Sequence, residues 1–469
     1  MIKPIIARIG PFPYTIAMIV MKFGGSSVAN AERLRHVAEI VKTRLDQKPI
    51  LVISAMGDTT DHLLEAGEAA LKNGIVQVEK IEDIHLKTIM EMELGDTALR
   101  GVRSLLTELR NLLTGISLIR ELAPKTKDYL VSFGERLSVR IVAAYFCSLG
   151  IKAQPVDAWD GGLVSDSNHT SADVAEESWR LIPEKLLAPA AEGILQVVTG
   201  FIAKDAKGNI TTLGRGGSDF SAAMIAAACG AAELQIWKDV DGILTADPRI
   251  VSGARVVEAI TYEAAREMAF YGAQVLHPQS MLPCMKTNTP VIVKNSYNPE
   301  APGTRIVRSL EGKRNPIQAI ASRKNVTLVD IVSSRMVGHY GFLAEVFACF
   351  AKHGVSVDMV ATSEVSISLT LDAFHDLKEL KKDLSRIASV DIKTKKAIVT
   401  IIGDVGRSSE ILSRSFNTCK LLGVQVQMVS QGASKINISF IVDDNEAPDV
   451  IKSLHADFFE SFKADYRRN

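Results

Sequence analysis

The stretch "VMKFGGSSVANAER", Val20–Arg33, joins an apolar run to a glycine turn and then to an amphipathic pattern. The apolar run is typical of a buried strand, and Asn30 is placed to cap a helix with an apolar face at Leu34, Val37, Ile40 and Val41. A glycine turn between a strand and a helix lets the backbone approach a phosphate closely. Lys22 precedes the glycines, whereas the lysine of a P-loop follows them. The stretch therefore predicts a phosphate site outside the P-loop class.

The alternation of strand and helix continues over the first two-thirds of the chain. Continuous apolar runs at Pro49–Met56, Ile194–Ala203 and Ala232–Val240 predict buried parallel strands. The alanine-rich segment Ser218–Cys229 predicts a helix. Together these elements predict an α/β sheet with helices on its faces.

The last third contains an internal repeat. "FACFAKHGVSVDMV", Phe347–Val360, matches "FNTCKLLGVQVQMV", Phe416–Val429, and the alternating runs Val365–Asp372 and Ile436–Asp443 follow them. Each copy predicts a helix, a glycine turn and two strands. The repeat therefore predicts two small α+β modules, and the polar segment Asn295–Val307, with its two prolines, predicts the boundary before them.

Composition excludes several classes of protein. The 469 residues include 54 basic and 54 acidic side chains, which argues against nucleic-acid binding by bulk charge. Five scattered cysteines predict reduced thiols, and nine histidines without HxH or HxxxH spacing predict no structural zinc site. Prolines interrupt the apolar first 20 residues, so we expect a loose extension or a targeting remnant rather than a membrane anchor.

Four clusters carry the residue types that phosphoryl transfer needs. They are "KFGGSS" with Lys22, "TTLGRGGSDFSAA" with Arg215 and Asp219, "VSFGERLS" with Glu135, and "WKDVDGILTADPR". Each cluster also has a purely structural interpretation. Asp219 and Glu135 sit where helix-capping acids are expected, and the other two clusters could be a glycine turn with a surface lysine and a solvated loop. Together they place two glycine loops, cations and acids at predicted strand ends, where ligands of open α/β sheets bind. Neither GxxxxGK[ST] nor GxGxxG occurs, so the pattern predicts a kinase outside the P-loop class.

These motifs, with "GAQVLHP" at Gly272–Pro278, resemble those of aspartate kinases of the amino acid kinase superfamily, and the repeat resembles their paired ACT domains. The resemblance covers about residues 18–465 and is closest to the monofunctional, lysine-sensitive, plant-like type. It implies an open, mostly parallel sheet between helix layers, followed by two ferredoxin-like modules. The expected domains are an extension at 1–17, a kinase domain at 18–305, and ACT domains at 306–392 and 393–469 that are sequential or interleaved.

The resemblance implies transfer of the γ-phosphoryl group of ATP, with Mg²⁺ on its phosphates, to the β-carboxylate of L-aspartate. The product is 4-phospho-L-aspartate, in the first step of lysine, threonine and methionine biosynthesis. Lys22 would act on the phosphoryl group and Asp219 would orient it. The implied aspartate-binding residues are Thr60, Glu135, Arg215 and Ser218. The implied nucleotide-binding residues are Lys22, Gly24, Gly25, Ser26, Lys238, Asp239, Leu244, Arg249 and Gln274, with no direct protein ligand to the metal.

The resemblance also implies feedback inhibition by lysine at the first ACT domain. The implied effector residues are Met336, His339, Phe342, Leu343, Ser356, Val357, Asp358, Thr362, Ser363 and Glu364. A homodimer or a dimer of dimers through the ACT domains is expected, in the cytoplasm or, for a plant or alga, the plastid stroma. No nucleic-acid or membrane partner is expected. Action of S-adenosylmethionine or threonine is left open.

Two departures and two alternatives accompany this prediction. Gln274 and His339 stand where some bacterial relatives have lysine and serine, which puts one nucleotide contact and one effector contact in doubt. A kinase for glutamate, acetylglutamate or carbamate is the alternative within the same fold. A catalytically inactive lysine sensor is the alternative of a different class.

Overall fold

The computed structural model describes residues 18–272, 275–310, 317–337, 340–372, 377–431 and 436–460. They divide into two compact units. The first comprises the chain up to Ile243 with Glu258–Tyr262 and Val275–Leu310, and the second comprises Leu244–Val257, the segment from Glu263, and the chain after Leu310. The expected N-terminal extension at 1–17 lies outside the described residues.

The first unit contains an eight-stranded sheet of order β3-β5-β2-β1-β8-β10-β11-β9 and a three-stranded sheet of order β4-β6-β7. Every neighbouring pair in the larger sheet is parallel except β10–β11. The strands of the first unit, in both sheets together, are β1 Ile19–Phe23, β2 Ile50–Ile53, β3 Ala153–Val156, β4 Val164–Ser165, β5 Leu195–Thr199, β6 Ile202–Asp205, β7 Ile210–Thr212, β8 Glu233–Lys238, β9 Ala259–Thr261, β10 Val291–Asn295 and β11 Thr304–Val307.

Helices pack on both faces of the larger sheet. The helices of the first unit are α1 Ala31–Lys42, α2 Thr59–Asn73, α3 Glu79–Glu91, α4 Asp96–Ile119, α5 Pro124–Ser148, α6 Ser178–Ala191, α7 Gly217–Ala228 and α9 Leu282–Thr287. The helix α8 Tyr262–Tyr271 begins at the last residue of one segment of this unit and otherwise belongs to the second unit. A buried hydrophobic cluster joins α1–α5 to alternate residues of β1, namely Ile19, Met21 and Phe23. The helix α7 contacts α6, α9 and β1. The predicted α/β fold with helix layers is confirmed.

The opening stretch folds as its pattern indicates. Every residue of β1 is buried, and the Asn30 side chain accepts a hydrogen bond from the Arg33 N–H, which caps α1. The Phe23 ring stacks on Trp237 of β8 with 5.8 Å between the ring centroids. Aromatic stacking across adjacent strands adds to the burial that holds β1 in the centre of the sheet.

One predicted strand is two strands. The apolar run Ile194–Ala203 breaks after Thr199, and Gly200 lies so close to α7 that a Cβ atom there would be 2.7 Å from the Cβ of Ser218. Phe201 adopts a left-handed φ of 66°. The chain therefore turns between β5 and β6, which belong to different sheets.

The second unit is built on a six-stranded antiparallel sheet of order β13-β14-β12-β15-β17-β16. Its strands are β12 Ile317–Val332, β13 Val360–Thr362, β14 Ser366–Asp372, β15 Ser389–Gly403, β16 Met428–Ser430 and β17 Asn437–Asp443. Its helices are α10 Phe342–Lys352, α11 Lys378–Leu384, α12 Ser408–Leu421 and α13 Ala447–His455. Both copies of the repeat thus form a helix, a glycine turn and two strands.

The strands β12 and β15 run through both halves of this sheet. The first half of β12, up to Arg323, pairs with residues 398–403 of β15, which pair in turn with β17. The second half of β12 pairs with β14 and with residues 389–396 of β15. The segment after Val307 therefore contributes a strand to the half of the sheet that the second repeat builds.

The loop Leu244–Val257 is part of the hydrophobic core of the second unit. Ala246 and Val251 are buried in one cluster with Ile438, Phe440 and Leu454. Within the described part of the chain, no helix is long and apolar enough to cross a bilayer.

Two glycines with similar backbone angles provide a test of the packing. Gly162 has a φ of 91°, and a Cβ there would be 2.6 Å from the backbone of Leu181 in α6, whereas Gly208 has a φ of 80° and open space. We expect Gly208→Ala to cost about 1 kcal/mol because alanine disfavours this backbone conformation. Gly162→Ala should cost about 3 kcal/mol, because the clash adds to it. Equal shifts of the melting temperature of the full chain would contradict this packing of the loop against α6.

Candidate active site

A cavity of about 310 Å³ opens at the carboxyl ends of the central strands of the first unit. The strands β5, β2 and β1 end at its rim, and α2, α5 and α7 complete its wall. Its lining residues are Lys22, Gly25, Ser54, Ala55, Gly57, Thr60, Glu135, Phe201, Gly214, Gly216, Gly217, Ser218 and Asp219. The cavity thus brings together residues from three of the four motifs that the sequence singles out.

A buried ionic cluster lies at one side of the cavity. The Lys22 Nζ is 2.6 Å from the Asp219 Oδ1, and the Lys238 Nζ is 3.1 Å from the Asp219 Oδ2. The side chains of Lys22 and Asp219 are 7% and 5% exposed. Burial lowers the pKa of Lys22, although Asp219 opposes the shift. Burial would raise the pKa of Asp219, but the charges of Lys22 and Lys238 outweigh it and lower that pKa. The cluster therefore holds two cations around one carboxylate.

Asp219 lies in the first turn of α7, where the sequence allows a capping role. The N-cap of that helix is Gly216, with a φ of 71°, and the cap makes no side-chain hydrogen bond. The carboxylate instead turns to the end of β1, where it contacts Lys22. Its position serves the ionic cluster rather than the helix terminus.

Glu135 is a second buried acid of the cavity. Unlike Asp219, it forms no salt bridge with a cation among the described residues. The sequence suggested an acid ahead of a helix, and that placement is wrong, because Glu135 lies in the middle of α5. Its Oε1 accepts the Ala55 N–H at 3.2 Å, while no hydrogen-bond partner for Oε2 occurs among the described residues. Burial raises the pKa of Glu135 to about 8. An ammonium group in the cavity would supply both the missing donor and the missing charge.

The first glycine turn fits closely against the loop after β2. A Cβ atom on Gly25 would be 2.9 Å from the Ala55 carbonyl oxygen, so only glycine fits there. The Gly57 N–H donates to the Gly25 carbonyl at 3.1 Å, and the Gly24 N–H donates to the Trp237 carbonyl at 3.3 Å. Ser26 is exposed at the tip of the turn. This arrangement exposes backbone beside Lys22, as phosphate binding requires.

The second glycine loop forms the other wall. Gly214, Gly216 and Ser218 line the cavity, whereas Arg215 is exposed at the loop surface and is not part of the lining. A Cβ atom on Gly216 would be 2.5 Å from the Cβ of His277 in the "VLHP" segment. The backbone of the loop is thus tightly packed against His277, while the Arg215 side chain is exposed to solvent.

The remaining nucleotide candidates are dispersed. Lys238 joins the ionic cluster, and Asp239 is exposed after β8. Leu244 and Arg249 belong to the second unit, where the Arg249 guanidinium pairs with Asp247 at 2.7 Å. Gln274 lies outside the described residues.

Phe201 lines the cavity but was not singled out from the sequence. It holds a left-handed φ of 66°, its N–H donates to the Ser221 Oγ at 3.0 Å, and its carbonyl accepts the Leu213 N–H at 2.9 Å. A non-glycine residue kept in this conformation is often found at a functional site. The sequence feature that could have identified Phe201 is an aromatic residue directly after Gly200 at the end of a strand.

A polar brace behind the first glycine turn was also missed, because segment 295–307 was interpreted only as a boundary. The Ser296 Oγ contacts the Ser27 Oγ at 2.8 Å and accepts from the Arg33 Nη2 at 3.0 Å. The Arg33 guanidinium lies 3.4 Å from the centre of the Tyr297 ring, and the Tyr297 hydroxyl donates to the Ser26 carbonyl. The segment therefore fixes the turn that carries Gly24 and Gly25.

The effector candidates lie in the second unit around the start of α10 and the strands β13 and β14. Phe342 is buried, Asp358 is partly buried, and the Arg323 Nη1 is 3.0 Å from the Asp358 Oδ2. Burial raises the pKa of Asp358, although Arg323 opposes the shift. His339 lies outside the described residues. The others are partly buried or exposed: Met336, Leu343, Ser356, Val357, Thr362, Ser363 and Glu364.

Comparisons with known proteins agree with this geometry. Residues 17–295 match the amino acid kinase family, and residues 329–375 and 399–458 match an ACT domain. The chain is 47% identical to "Aspartokinase 3, chloroplastic" of Arabidopsis thaliana, over 94% of this chain and 82% of that protein.

Two solved structures of Escherichia coli aspartokinase III each cover 94% of this chain and all of their own. The complex with aspartate and ADP, called the R-state, has a TM-score of 0.79 at 33% identity. The complex with lysine and aspartate, called the T-state, has a TM-score of 0.81 at 32% identity.

The fold and the cavity at its strand ends define an amino acid kinase with C-terminal ACT domains. Within that class the chain belongs to the aspartokinase family. The family resemblance and the enzyme class expected from the sequence are confirmed.

The raised pKa of Glu135 predicts a pH-dependent stability. Between about pH 4.5 and pH 8 the folded chain keeps a proton on Glu135 that the unfolded chain releases, so this residue makes the unfolding free energy fall as pH rises. The slope approaches about 1.4 kcal/mol per pH unit in that window. Glu135→Gln has no such proton, so its melting temperature relative to the unsubstituted chain should rise steadily from pH 5 to pH 8. A difference that is independent of pH would contradict the assignment.

Proposed function

We propose that the chain is an ATP-dependent aspartate kinase that phosphorylates the β-carboxylate of L-aspartate. The observation that carries the proposal is the Oε2 of Glu135, which has no hydrogen-bond partner among the described residues and lies in the same cavity as Lys22 and Asp219. A substrate that fits needs an ammonium group for Glu135 and an anionic end near Lys22. Aspartate with ATP satisfies both needs, and the product would be 4-phospho-L-aspartate, in the first step of lysine, threonine and methionine biosynthesis.

In this proposal the protein binds the two charged groups on the α-carbon of aspartate. Glu135 binds the ammonium group, Arg215 binds the α-carboxylate with its planar fork, and Thr60 and Ser218 flank them. Both flanking residues line the cavity, which supports their roles. The β-carboxylate is then the free end, and one of its oxygens attacks the γ-phosphorus while the ADP oxygen leaves.

Lys22 neutralises charge on the transferring phosphoryl group, and Asp219 holds it in place. The short buried contact between the two supports this division of roles. Gly24, Gly25 and Ser26 would line the phosphates, with Lys238 and Asp239 beyond them. Leu244, Arg249 and Gln274 are proposed for the nucleotide edge from the family resemblance alone.

The substrate is proposed to be MgATP. Within the described ranges no group of three or more His, Cys, Asp or Glu side chains could hold a metal ion. Mg²⁺ commonly stays on nucleotide phosphates with several of its own waters. We therefore propose that the metal enters with ATP and is held mainly by the phosphates.

Regulation is proposed to reside in the second unit. Lysine would bind at the effector residues of the first ACT domain, with Asp358 and Glu364 facing its ammonium groups. We propose the domain limits 18–305, 306–392 and 393–469, with the two ACT domains interleaved, because β12 and β15 serve both halves of their sheet. A dimer or a dimer of dimers through these domains is proposed, and the chloroplastic relative favours the plastid over the cytoplasm.

Substitution of Lys22 tests the catalytic proposal. Loss of one charge-stabilising group typically costs 10²–10³ in kcat, so Lys22→Ala should lose about that much aspartyl hydroxamate formation with aspartate, MgATP and hydroxylamine. Lys42→Ala is the matched control, because Lys42 lies on α1 and pairs only at the surface with Glu39. Full turnover by Lys22→Ala would refute its role, and no hydroxamate from the unsubstituted chain would refute the function.

Substitution of Asp358 tests the regulatory proposal. A hydrogen bond to a charged group is worth about 1.5–3 kcal/mol, so Asp358→Asn should raise the lysine concentration for half-inhibition at least about tenfold. Asp383→Asn is the control, because it removes a carboxylate paired with Lys352 elsewhere in the same unit. Activity that does not respond to millimolar lysine in the unsubstituted chain would contradict lysine as the effector.

A further inference from the structure

A second buried carboxylate, Asp128, lies on α5 outside the cavity lining. It is 1% exposed. Its Oδ2 accepts from the His169 Nδ1 at 2.7 Å, its Oδ1 accepts from the Thr212 Oγ1 at 2.7 Å, and both oxygens accept from the Thr170 N–H at 3.0 and 3.1 Å. A buried carboxylate is costly unless its oxygens are satisfied. Here every one of these contacts comes from two short segments, one around His169 and one at the end of β7.

The segment around His169 is held in a strained conformation. Thr170 has a φ of 71°. A β-branched residue is a true outlier in this region, and the conformation costs on the order of 1–3 kcal/mol. The backbone N–H of Thr170 is one of the donors to Asp128, so the carboxylate helps to hold the residue in this conformation.

The strained segment packs against the loop that carries Arg215. A Cβ atom on Gly214 would be 3.4 Å from the Ser171 Oγ and 3.6 Å from the Thr170 carbonyl oxygen. The Ala172 N–H donates to the Thr212 carbonyl at 2.8 Å. Asp128 therefore fixes the start of the Arg215 loop twice, once through Thr212 and once through the segment beside Gly214.

The same helix also carries Glu135. Asp128 and Glu135 are seven residues apart on α5, so they lie on one face of the helix, about 10 Å apart along its axis. One rigid element thus positions the proposed ammonium site directly and the proposed α-carboxylate site through the loop. The distance between the two sites is set by the spacing of two acids on one helix.

We infer that Asp128, together with His169, is a positioning residue for recognition of the α-carboxylate of aspartate. It acts by holding the Arg215 loop at a fixed distance from Glu135. This inference rests on the proposed function, in which Glu135 and Arg215 bind the two ends of the α-carbon.

The inference separates two simple ligands that each lack one group of aspartate. Succinate keeps both carboxylates but has no ammonium group, whereas β-alanine keeps the ammonium group and one carboxylate but has no α-carboxylate. A displaced Arg215 loop weakens succinate and leaves β-alanine unchanged. A general loss of structure weakens both.

The experiment compares four variants of the full chain. Asp128→Asn removes the charge, and His169→Phe removes the donor. His169→Asn keeps an N–H close to the position of the imidazole Nδ1 and should restore much of the loss. Glu108→Gln is the control, because it removes a carboxylate that accepts hydrogen bonds from two other residues of α5, Tyr129 and Arg136.

We expect Asp128→Asn and His169→Phe to raise the KM for aspartate and the inhibition constant of succinate about tenfold. The KM for ATP and the inhibition constant of β-alanine should stay within about twofold. If Asp128→Asn does not fold, the comparison of His169→Phe with His169→Asn tests the inference through the same KM values and inhibition constants.

Two results would overturn the inference. One is an equal change for succinate and β-alanine, and the other is an unchanged KM for aspartate in His169→Phe. Failure of the proposed function is a separate result, because the unsubstituted chain would then form no aspartyl hydroxamate. In that case direct titration with succinate and β-alanine still measures whether His169→Phe alters carboxylate binding selectively.

Discussion

The contact between Lys22 and Asp219 is the constraint on which the cavity depends. It joins the end of β1 to the first turn of α7, and both side chains are withdrawn from water. Removing two charges from water costs several kcal/mol for each ion. Lys238 adds a second cation to the same carboxylate, and the raised pKa of Glu135 keeps that acid neutral near pH 7. The cavity is therefore electropositive, which suits a site that receives phosphates and a dicarboxylic amino acid.

Much of the fold was predictable because local sequence patterns indicate its strands and helices. Apolar runs placed β1, β2 and β8 to within a few residues, Asn30 placed the start of α1, and the repeat placed the helices and strands of the second unit. Motif residues that are close in space, such as Lys22 and Asp219, were predicted to meet because both follow strand ends in an open sheet. The family resemblance supplied the chemistry that local patterns could not.

The remaining features of the fold and the site depend on tertiary contacts, which no local sequence pattern indicates. Glu135 was expected before a helix because glycine precedes it, yet Gly134 lies inside α5 facing Ala55, where a Cβ would be 2.7 Å from the Ala55 Cβ. The break at Gly200 and the left-handed Phe201 were hidden in an apolar run. Asp128 and His169 are separated by 41 residues, and their pairing follows from the path of the chain rather than from a motif.

The continuity of β12 and β15 has a consequence for how such chains can be recombined. Each half of the sheet combines segments that are not contiguous in the chain, because residues 317–323 complete the half that residues 398–403 and β17 build. A chimaera that exchanged only one contiguous repeat with a relative would leave a foreign strand in the middle of the sheet. A half of the sheet can therefore be transferred intact only as two separate pieces of chain.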